Sequence, residues 1–174
     1  MVLDSRIVSV LNDWAGNSVF AKLFAFLANY SIFIFLIVFV LYLFYHPELR
    51  HRTFLIYSFI AVLISRGIVG AWLKNLIARP RPFATIPGVH ALISESGYSM
   101  PSGHALVFFT LATCIHMRDR KWGSWLYALA AIFSLARVLA GVHHMSDILV
   151  GAVLGIAVGL IAMKLLSKYK PYAG

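Results

Sequence analysis

Apolar residues run in long blocks along the chain, and these blocks predict helices that cross a membrane. Five blocks stand out, at residues 30–45, 54–73, 105–117, 125–141 and 148–166. The third block is short, and the turn Pro101-Ser102-Gly103-His104 extends it at its amino end. Because about 20 predominantly apolar residues span a bilayer, the pattern predicts an all-α, polytopic membrane helix bundle.

Residues 5–28 differ from these blocks because polar side chains interrupt the apolar ones. Asp13, Asn17 and Lys22 lie among leucine, valine and phenylalanine residues. Such an amphipathic stretch fits a pair of interfacial helices and a weak sixth span equally well. The bundle is therefore expected to have five to six transmembrane helices, in a single domain that covers residues 1–174.

The composition excludes a soluble globular domain. The chain is 61% hydrophobic and 12% charged, whereas soluble proteins average about 45–50% apolar and about 25% charged residues. The formal net charge is +9, which in a soluble protein would suggest nucleic acid. In a membrane protein, basic residues mark the cytoplasmic loops instead. The expected environment is thus a membrane, and no nucleic-acid partner is expected.

The positions of the basic residues predict an orientation. They follow the first, third and fifth blocks, as Arg50, Arg52, Arg118, Arg120, Lys121, Lys164, Lys168 and Lys170. Because these regions follow every second predicted span, all of them fall on one side of the membrane. The positive-inside rule makes that side cytoplasmic. The opposite, extracytoplasmic side receives the connection over residues 74–104 and the short turn over residues 141–147.

Three glycines, Gly151, Gly155 and Gly159, repeat every fourth residue on the last predicted span. Small residues at that spacing let helices approach closely. We expect this stripe to pack against another helix of the same chain, and a homodimer seam is the alternative.

The first of three unusual clusters on the extracytoplasmic side is Lys74-Asn-Leu-Ile-Ala-Arg-Pro-Arg81-Pro82. Its prolines end the preceding helix and hold the following backbone extended. Lys74 is expected in the last helical turn, with Arg81 folding back toward it. A lysine at a helix carboxyl end also has an ordinary use, which is compensation of the helix dipole.

The second cluster is the Pro101-Ser102-Gly103-His104 turn before an apolar helix. Serine is a good helix cap. Backbone N–H groups in the first turn, together with the small Gly103, form an anion site. The alternative is a plain capping turn.

The third cluster joins Arg137 to His143 and Asp147. His143 and Asp147 are four residues apart, so on one helix they would share a face. An aspartate that accepts the Nδ1 proton leaves Nε2 free to attack a substrate or to bind a metal. The alternative is a structural histidine–carboxylate pair.

All three clusters reach the same membrane face, from four different span ends. Independent structural features would not be expected to converge in this way, and charges at the ends of apolar helices are costly unless they are functional. The combined site is cationic, with two histidines and one well-placed carboxylate. This composition is typical of phosphate chemistry.

These residues together resemble the three-part signature of the type 2 phosphatidic acid phosphatase superfamily. The parts are Lys74-x6-Arg81-Pro82, then Pro101-Ser102-Gly103-His104, then Arg137-x5-His143-x3-Asp147. The third part usually begins with Ser-Arg, whereas here Ala136 precedes Arg137. This difference removes one hydroxyl near the site, so altered tuning is expected rather than lost activity.

The resemblance implies a role for each residue of the signature. His143 would be the nucleophile that forms a phosphohistidine, Asp147 would orient it, and His104 would be the general acid. The phosphoryl oxygens would be bound by Lys74, Arg81, Ser102, Gly103 and Arg137. Three cations supply the charge that a phosphoryl transition state needs, so neither a metal nor another cofactor is expected.

The resemblance also implies the substrate class, a lipid phosphate within the bilayer. Undecaprenyl diphosphate ranks first, cleaved to undecaprenyl phosphate and phosphate, and phosphatidylglycerol phosphate, phosphatidate and lipid A phosphates are the alternatives. The expected location is a bacterial inner or plasma membrane, with the site facing the periplasm or the exterior. The connection over residues 83–100 is expected to lie over the site as a lid.

Two other classes of function compete with this interpretation. His104, His143 and Asp147 would suit a two-histidine, one-carboxylate metal site, although three nearby cations disfavour a bound cation. A non-enzymatic lipid transporter is the second alternative, disfavoured because the sequence shows neither paired half-helices nor an inverted repeat.

Three further residues have no assigned chemistry. Arg66 lies about 12 Å below Lys74 at about 1.5 Å rise per residue, so it is expected to pair with a group inside the bundle. Arg79 fits a lipid headgroup contact and a solvated surface position equally well. His144 is expected to be structural.

Overall fold

The computed structural model describes residues 2–46 and 52–169, and it is helical without strands over that part of the chain. In chain order the helices are α1 (Val2–Gly16), α2 (Ala21–Tyr45), α3 (Arg52–Val62), α4 (Ala71–Ile77), α5 (Pro82–Thr85), α6 (Gly103–His116), α7 (Arg120–Leu139) and α8 (Met145–Tyr169). A π-helical stretch, Leu63–Gly70, joins α3 to α4. Arg50 and Lys170 lie outside the described residues.

Four helical units are long and apolar enough to cross a membrane. They are Ala21–Tyr45, Thr53–Thr85, Arg120–Leu139 and Met145–Leu165. The chain is therefore an integral membrane protein with an all-α fold. Within the described residues, α6 is apolar but shorter than these four units.

Helix α6 forms the centre of the bundle. Most of its residues are buried, and it packs mainly against α7 and α8. A helix that is apolar on every side is expected in an interior. The rings of Phe108 on α6 and Phe35 on α2 stack with their centroids 4.7 Å apart, which fixes α2 against the same centre.

The glycine stripe of α8 faces α6, as the spacing predicts. A methyl group added at Gly151 would lie 2.9 Å from the Cβ atom of Ala105, and one at Gly155 would lie 2.8 Å from the backbone oxygen of Leu106. Only glycine allows this approach without a shift of the backbone. The stripe therefore serves packing within the chain, and it brings the amino ends of α6 and α8 together.

The structure of residues 5–28 differs from both sequence-based alternatives. Helix α1 is amphipathic and is not one of the four candidate spans, whereas α2 begins at Ala21 and not at residue 30. Asn12 fixes α1 in place, because its side-chain amide donates to the backbone oxygens of His90 and Leu139, both at 2.9 Å. These partners are distant in sequence, so hydropathy alone does not reveal the contact.

The ends of four helices meet at one end of the bundle. These are the carboxyl ends of α4 and α7 and the amino ends of α6 and α8, and they carry the three sequence clusters. The opposite end carries the described basic residues Arg118, Arg120, Lys121, Lys164 and Lys168. Which membrane face each end meets stays a prediction from the loop charges.

Candidate active site

A cavity of about 200 Å³ lies where these four helix ends meet. It is lined by Arg66, Lys74, Arg81, Glu95, Ser96, Gly97, Tyr98, Gly103, His104, Arg137 and His143. Six of the eight residues predicted from the sequence therefore share one small cavity. The other two, Ser102 and Asp147, are buried immediately behind its wall.

His143 lies in the turn before α8 and not on the helix itself. The turn passes through Gly141, whose φ of 72° is left-handed, and a Cβ atom there would lie 2.6 Å from the backbone oxygen of His90. Because α8 begins only at Met145, His143 and Asp147 do not share a helical face as the spacing suggested. The turn nevertheless brings them together.

The carboxylate of Asp147 holds this turn by two contacts. Its Oδ2 atom lies 3.4 Å from His143 Nδ1 and accepts a hydrogen bond of 2.8 Å from the backbone N–H of His144. His144 is buried beside the carboxylate, which supports its expected structural role. Asp147 thus orients the His143 ring, as a carboxylate commonly does for a functional histidine.

The other ring nitrogen of His143 faces the cavity. Its Nε2 atom lies 3.4 Å from Arg81 Nη1. Burial lowers the pKa of His143 to about 4, although the contact with Asp147 acts in the opposite direction. The imidazole is therefore neutral near pH 7. With Asp147 accepting the Nδ1 proton, the lone pair of Nε2 is available for attack.

Arg81 is buried and held by backbone oxygens. Its Nη1 donates to Val142 at 2.8 Å, Nη2 donates to Ser96 at 2.9 Å, and Nε donates to Gly97 at 3.1 Å. A guanidinium fixed in this way is preorganised for the planar recognition of a phosphoryl group. Its position also depends on the connection between α5 and α6, which supplies two of the three acceptors.

Glu95 bridges two of the predicted phosphate-binding cations. Its Oε2 atom accepts from Arg81 Nη2 at 3.2 Å, and its Oε1 atom is bonded to Arg137 Nη2. Burial raises the pKa of Glu95, but the guanidiniums of Arg137 and Arg81 outweigh this effect and hold the pKa below its ordinary value. The sequence pattern indicates no role for Glu95, although it is the sole carboxylate in residues 83–100.

Lys74 occupies the last turn of α4, as predicted. The helix ends there because Ala78 adopts a left-handed conformation with φ of 47°. The Lys74 ammonium donates to the backbone oxygen of Tyr98 at 2.5 Å. The same connection therefore positions both Lys74 and Arg81, so it is part of the site and not only a cover over it.

Ser102 caps α6, as its position in the sequence predicts. Its hydroxyl oxygen accepts from the backbone N–H of Ala105 at 3.5 Å. The following two residues, Gly103 and His104, line the cavity. The first turn of α6 therefore presents its amino end and an imidazole to the same space.

Arg66 is a cavity residue that the sequence analysis left without a partner. Its guanidinium lies against Gly103, where an added Cβ atom would overlap Arg66 Nη1. Gly103 is therefore needed for the close approach of an arginine side chain, a requirement that the motif alone does not indicate.

Arg79 has a different role from either alternative suggested by the sequence. Its Nη1 donates to Asp147 Oδ1 at 2.7 Å and to Ser146 Oγ at 2.6 Å, and its Nη2 donates to Asp4 Oδ2 at 2.7 Å. Burial raises the pKa of Asp4, but its bonds with Ser146 and Arg79 lower the pKa by more. Arg79 therefore ties the carboxylate behind His143 to α1.

The comparisons with known proteins show the family of this chain. Residues 55–171 match the PAP2 superfamily, and the chain belongs to that family. The match includes every residue of the three clusters.

Individual relatives and a solved structure support the same assignment. The bacitracin transport permease protein BcrC of Bacillus licheniformis is 34% identical over 133 residues, which are 75% of this chain and 64% of that protein. An undecaprenyl-diphosphatase of Sulfolobus acidocaldarius is 30% identical over 114 residues, which are 64% of this chain and 53% of that protein. The matches thus span between about half and two thirds of these relatives.

The crystal structure of Aquifex aeolicus LpxE has a similar fold. It superposes with a TM-score of 0.71 and 27% sequence identity, and the match covers 91% of this chain and 93% of LpxE. The helical bundle is therefore similar along nearly the whole length of both chains.

Proposed function

We propose that this chain is a membrane lipid phosphatase that acts through a phosphohistidine at His143. The observation that carries the proposal is the placement of His143 Nε2 in a small cationic cavity, with Asp147 behind its other nitrogen. A buried neutral imidazole is a nucleophile at neutral pH. Phosphoryl transfer then requires positioning and positive charge, which the cavity supplies.

In the first step, Nε2 of His143 attacks the phosphorus and the bond from phosphorus to the leaving oxygen breaks. The electron pair remains on that oxygen, which takes a proton from His104. Burial and the charge of Arg137 lower the pKa of His104 to about 2 before substrate binds, so this proton enters with the phosphate of the substrate and passes through His104 to the leaving oxygen. Lys74, Arg81 and Arg137 bind the non-bridging oxygens, and the N–H of Gly103 adds a further donor. Ser102 supports this donor by capping the turn.

In the second step, water attacks the phosphorus of the phosphohistidine. His104, now neutral, accepts the proton of the water. The bond from phosphorus to Nε2 breaks, its electron pair returns to the ring, and inorganic phosphate leaves. His143 is regenerated without a net change, and no metal takes part.

The substrate we propose first is undecaprenyl diphosphate, cleaved to undecaprenyl phosphate and phosphate. The name of the Sulfolobus relative supports this ranking. Phosphatidylglycerol phosphate, phosphatidate and lipid A phosphates are the alternatives within the same class. A site at the helix ends suits all of them, because it meets a phosphate in the headgroup plane while the tails stay in the bilayer.

We place the cavity at the extracytoplasmic face of a bacterial inner or plasma membrane. The support is the cluster of basic residues at the opposite end of the bundle. Two experiments in intact cells test this placement: protease access, and labelling of the Tyr98→Cys variant with a membrane-impermeant thiol reagent. Only an extracytoplasmic residue reacts with such a reagent.

A lipid transporter is the second candidate, because the BcrC relative is named a transport permease. A lipid transporter does not require a histidine that is oriented by a buried carboxylate.

The deciding experiment measures phosphate release by purified protein in detergent with excess EDTA. Undecaprenyl diphosphate and phosphatidylglycerol phosphate are compared at equal surface concentration. Release in EDTA supports the metal-free phosphatase. Flux of intact lipid without release supports transport, and release that requires added metal contradicts the mechanism.

A further inference from the structure

Arg66 is a charged residue inside a membrane-spanning unit. It belongs to the π-helical stretch Leu63–Gly70 within the candidate span Thr53–Thr85. Ionisable residues within spans are costly and are usually functional, and π-helical turns occur frequently at functional sites. Both observations indicate that the charge of Arg66 has a function.

The surroundings of Arg66 leave its charge available. Arg81 and Arg137 share the carboxylate of Glu95. In contrast, no carboxylate within residues 2–46 and 52–169 pairs with Arg66, although its side chain lines the same cavity. A ligand that enters the cavity therefore meets one arginine whose charge is not already neutralised.

The position of Arg66 places it on one side of the reaction. Its guanidinium contacts Gly103, the residue before His104, and its charge acts on His104. Under the mechanism proposed above, His104 protonates the leaving oxygen. Arg66 therefore lies on the Gly103–His104 side of the cavity, where that mechanism places the leaving oxygen.

We propose that Arg66 binds the phosphate that stays on the lipid when a diphosphate is cleaved, and so favours lipid diphosphates over lipid monophosphates. This inference rests on the proposed phosphatase function. When the bond from the terminal phosphorus to the bridging oxygen breaks, the electron pair and a negative charge remain on the departing lipid phosphate. Arg66 stabilises that charge.

A lipid monophosphate offers Arg66 no such partner. Its leaving oxygen departs as an alcohol and needs the proton of His104, whereas a departing phosphate group, whose second pKa is about 6, is stable as an anion. The same site thus cleaves both lipid monophosphates and lipid diphosphates, but Arg66 stabilises the leaving group only when the substrate is a diphosphate.

The test compares Arg66→Gln with the wild type on a polyprenyl diphosphate and a polyprenyl monophosphate of equal chain length. A hydrogen bond to a charged group contributes about 1.5–3 kcal/mol. The kcat/KM for the diphosphate should therefore fall about 10- to 100-fold, whereas that for the monophosphate should change by less than about threefold. Arg66→Lys should restore part of the diphosphate activity. Equal losses on both substrates, or no loss on the diphosphate, would overturn the inference.

Arg120→Gln is the matched control, because it removes an exposed arginine from the opposite end of the bundle. It should leave both activities unchanged. Calorimetric titration with inorganic pyrophosphate and with inorganic phosphate separates this inference from the proposed function. Arg66→Gln should weaken only the binding of pyrophosphate. If the folded wild type hydrolyses neither lipid, the phosphatase proposal fails, and the titration still decides whether Arg66 reads a second phosphate.

Discussion

Arg79 and Asp147 form an ion pair of 2.7 Å on the oxygen of the carboxylate that does not face His143. The same guanidinium contacts Asp4 on α1 at 2.7 Å. Each oxygen of Asp147 thus has its own partner, and the carboxylate behind His143 cannot rotate without breaking a charged contact. Helix α1 is therefore a structural part of the site.

The first prediction concerns this ion pair. Arg79→Gln should lower kcat about 10- to 100-fold, the usual effect of removing a group that orients a functional side chain. The KM should change little, because Arg79 does not line the cavity. Asp4→Asn should have a smaller effect in the same direction. Steady-state kinetics of both variants test this expectation.

The control for Asp4→Asn is Asp13→Asn, which makes the same charge change at an exposed position of α1. It should leave kcat unchanged. An Arg79→Gln variant that raises KM with an unchanged kcat would show that Arg79 binds substrate directly.

The second prediction concerns protonation of His143. Burial lowers its pKa to about 4, well below about 6.5 for an ordinary histidine. The neutral ring needed for attack should thus persist down to about pH 4. Nitrogen-15 NMR of histidine-labelled protein in detergent, with His143→Gln used for assignment, measures this pKa. Titration of the ring near pH 6.5 would contradict the structure.

The same pKa difference affects stability with a definite sign. The unfolded chain binds a proton at about pH 6.5 and the folded chain only at about pH 4, so acid favours the unfolded state between these values. The contribution of His143 to the free energy of unfolding is therefore present above about pH 6.5 and is lost as the pH falls toward 4.

The third prediction concerns Glu95, whose carboxylate contacts the two guanidiniums that we expect to bind phosphate. A phosphate in the cavity is repelled by this carboxylate. Glu95→Gln should therefore lower the inhibition constant of inorganic phosphate about tenfold, or about 1.4 kcal/mol. Asp13→Asn again serves as the charge-matched control. An inhibition constant that rises would mean that Glu95 mainly holds Arg81 and Arg137 in place.

The fourth prediction concerns Gly103. The added Cβ atom of Gly103→Ala would overlap the end of the flexible Arg66 side chain and not the backbone, so the protein should fold while Arg66 moves away. The preference for diphosphates should fall as it does in Arg66→Gln. The double variant should be no worse than either single one, because both changes remove the same interaction. Additive losses of the diphosphate preference in the double variant would show that Gly103 and Arg66 act independently.

The sequence predicts the main parts of the fold and of the site. Span ends carry the functional residues, and hydropathy locates span ends, so the convergence of Lys74, Arg81, His104 and His143 follows from topology alone. The glycine stripe of α8 was likewise interpreted correctly, because its spacing has a direct geometric meaning.

The remaining contacts join residues that are far apart in the chain. Arg79 meets Asp4 across 75 positions, and Ser146 meets Asp4 across 142. Local patterns carry no information about such pairs. The role of Glu95 was missed for a related reason, since the connection that holds it has no regular periodicity. Helix α2 begins at Ala21, before the start at residue 30 that hydropathy predicts, because its first turn contains Lys22. A lysine lowers the mean hydropathy of that segment.

The central claim is that His143 forms a covalent phosphoryl intermediate. The most direct measurement is a rapid alkaline quench of the purified protein with a lipid diphosphate labelled at its terminal phosphate, followed by mapping of the protein-bound label. We expect acid-labile label on the peptide that contains His143, and none on folded His143→Ala, whose turnover should fall by about 10³ or more. Label on another residue, or wild-type turnover by folded His143→Ala, would contradict the mechanism.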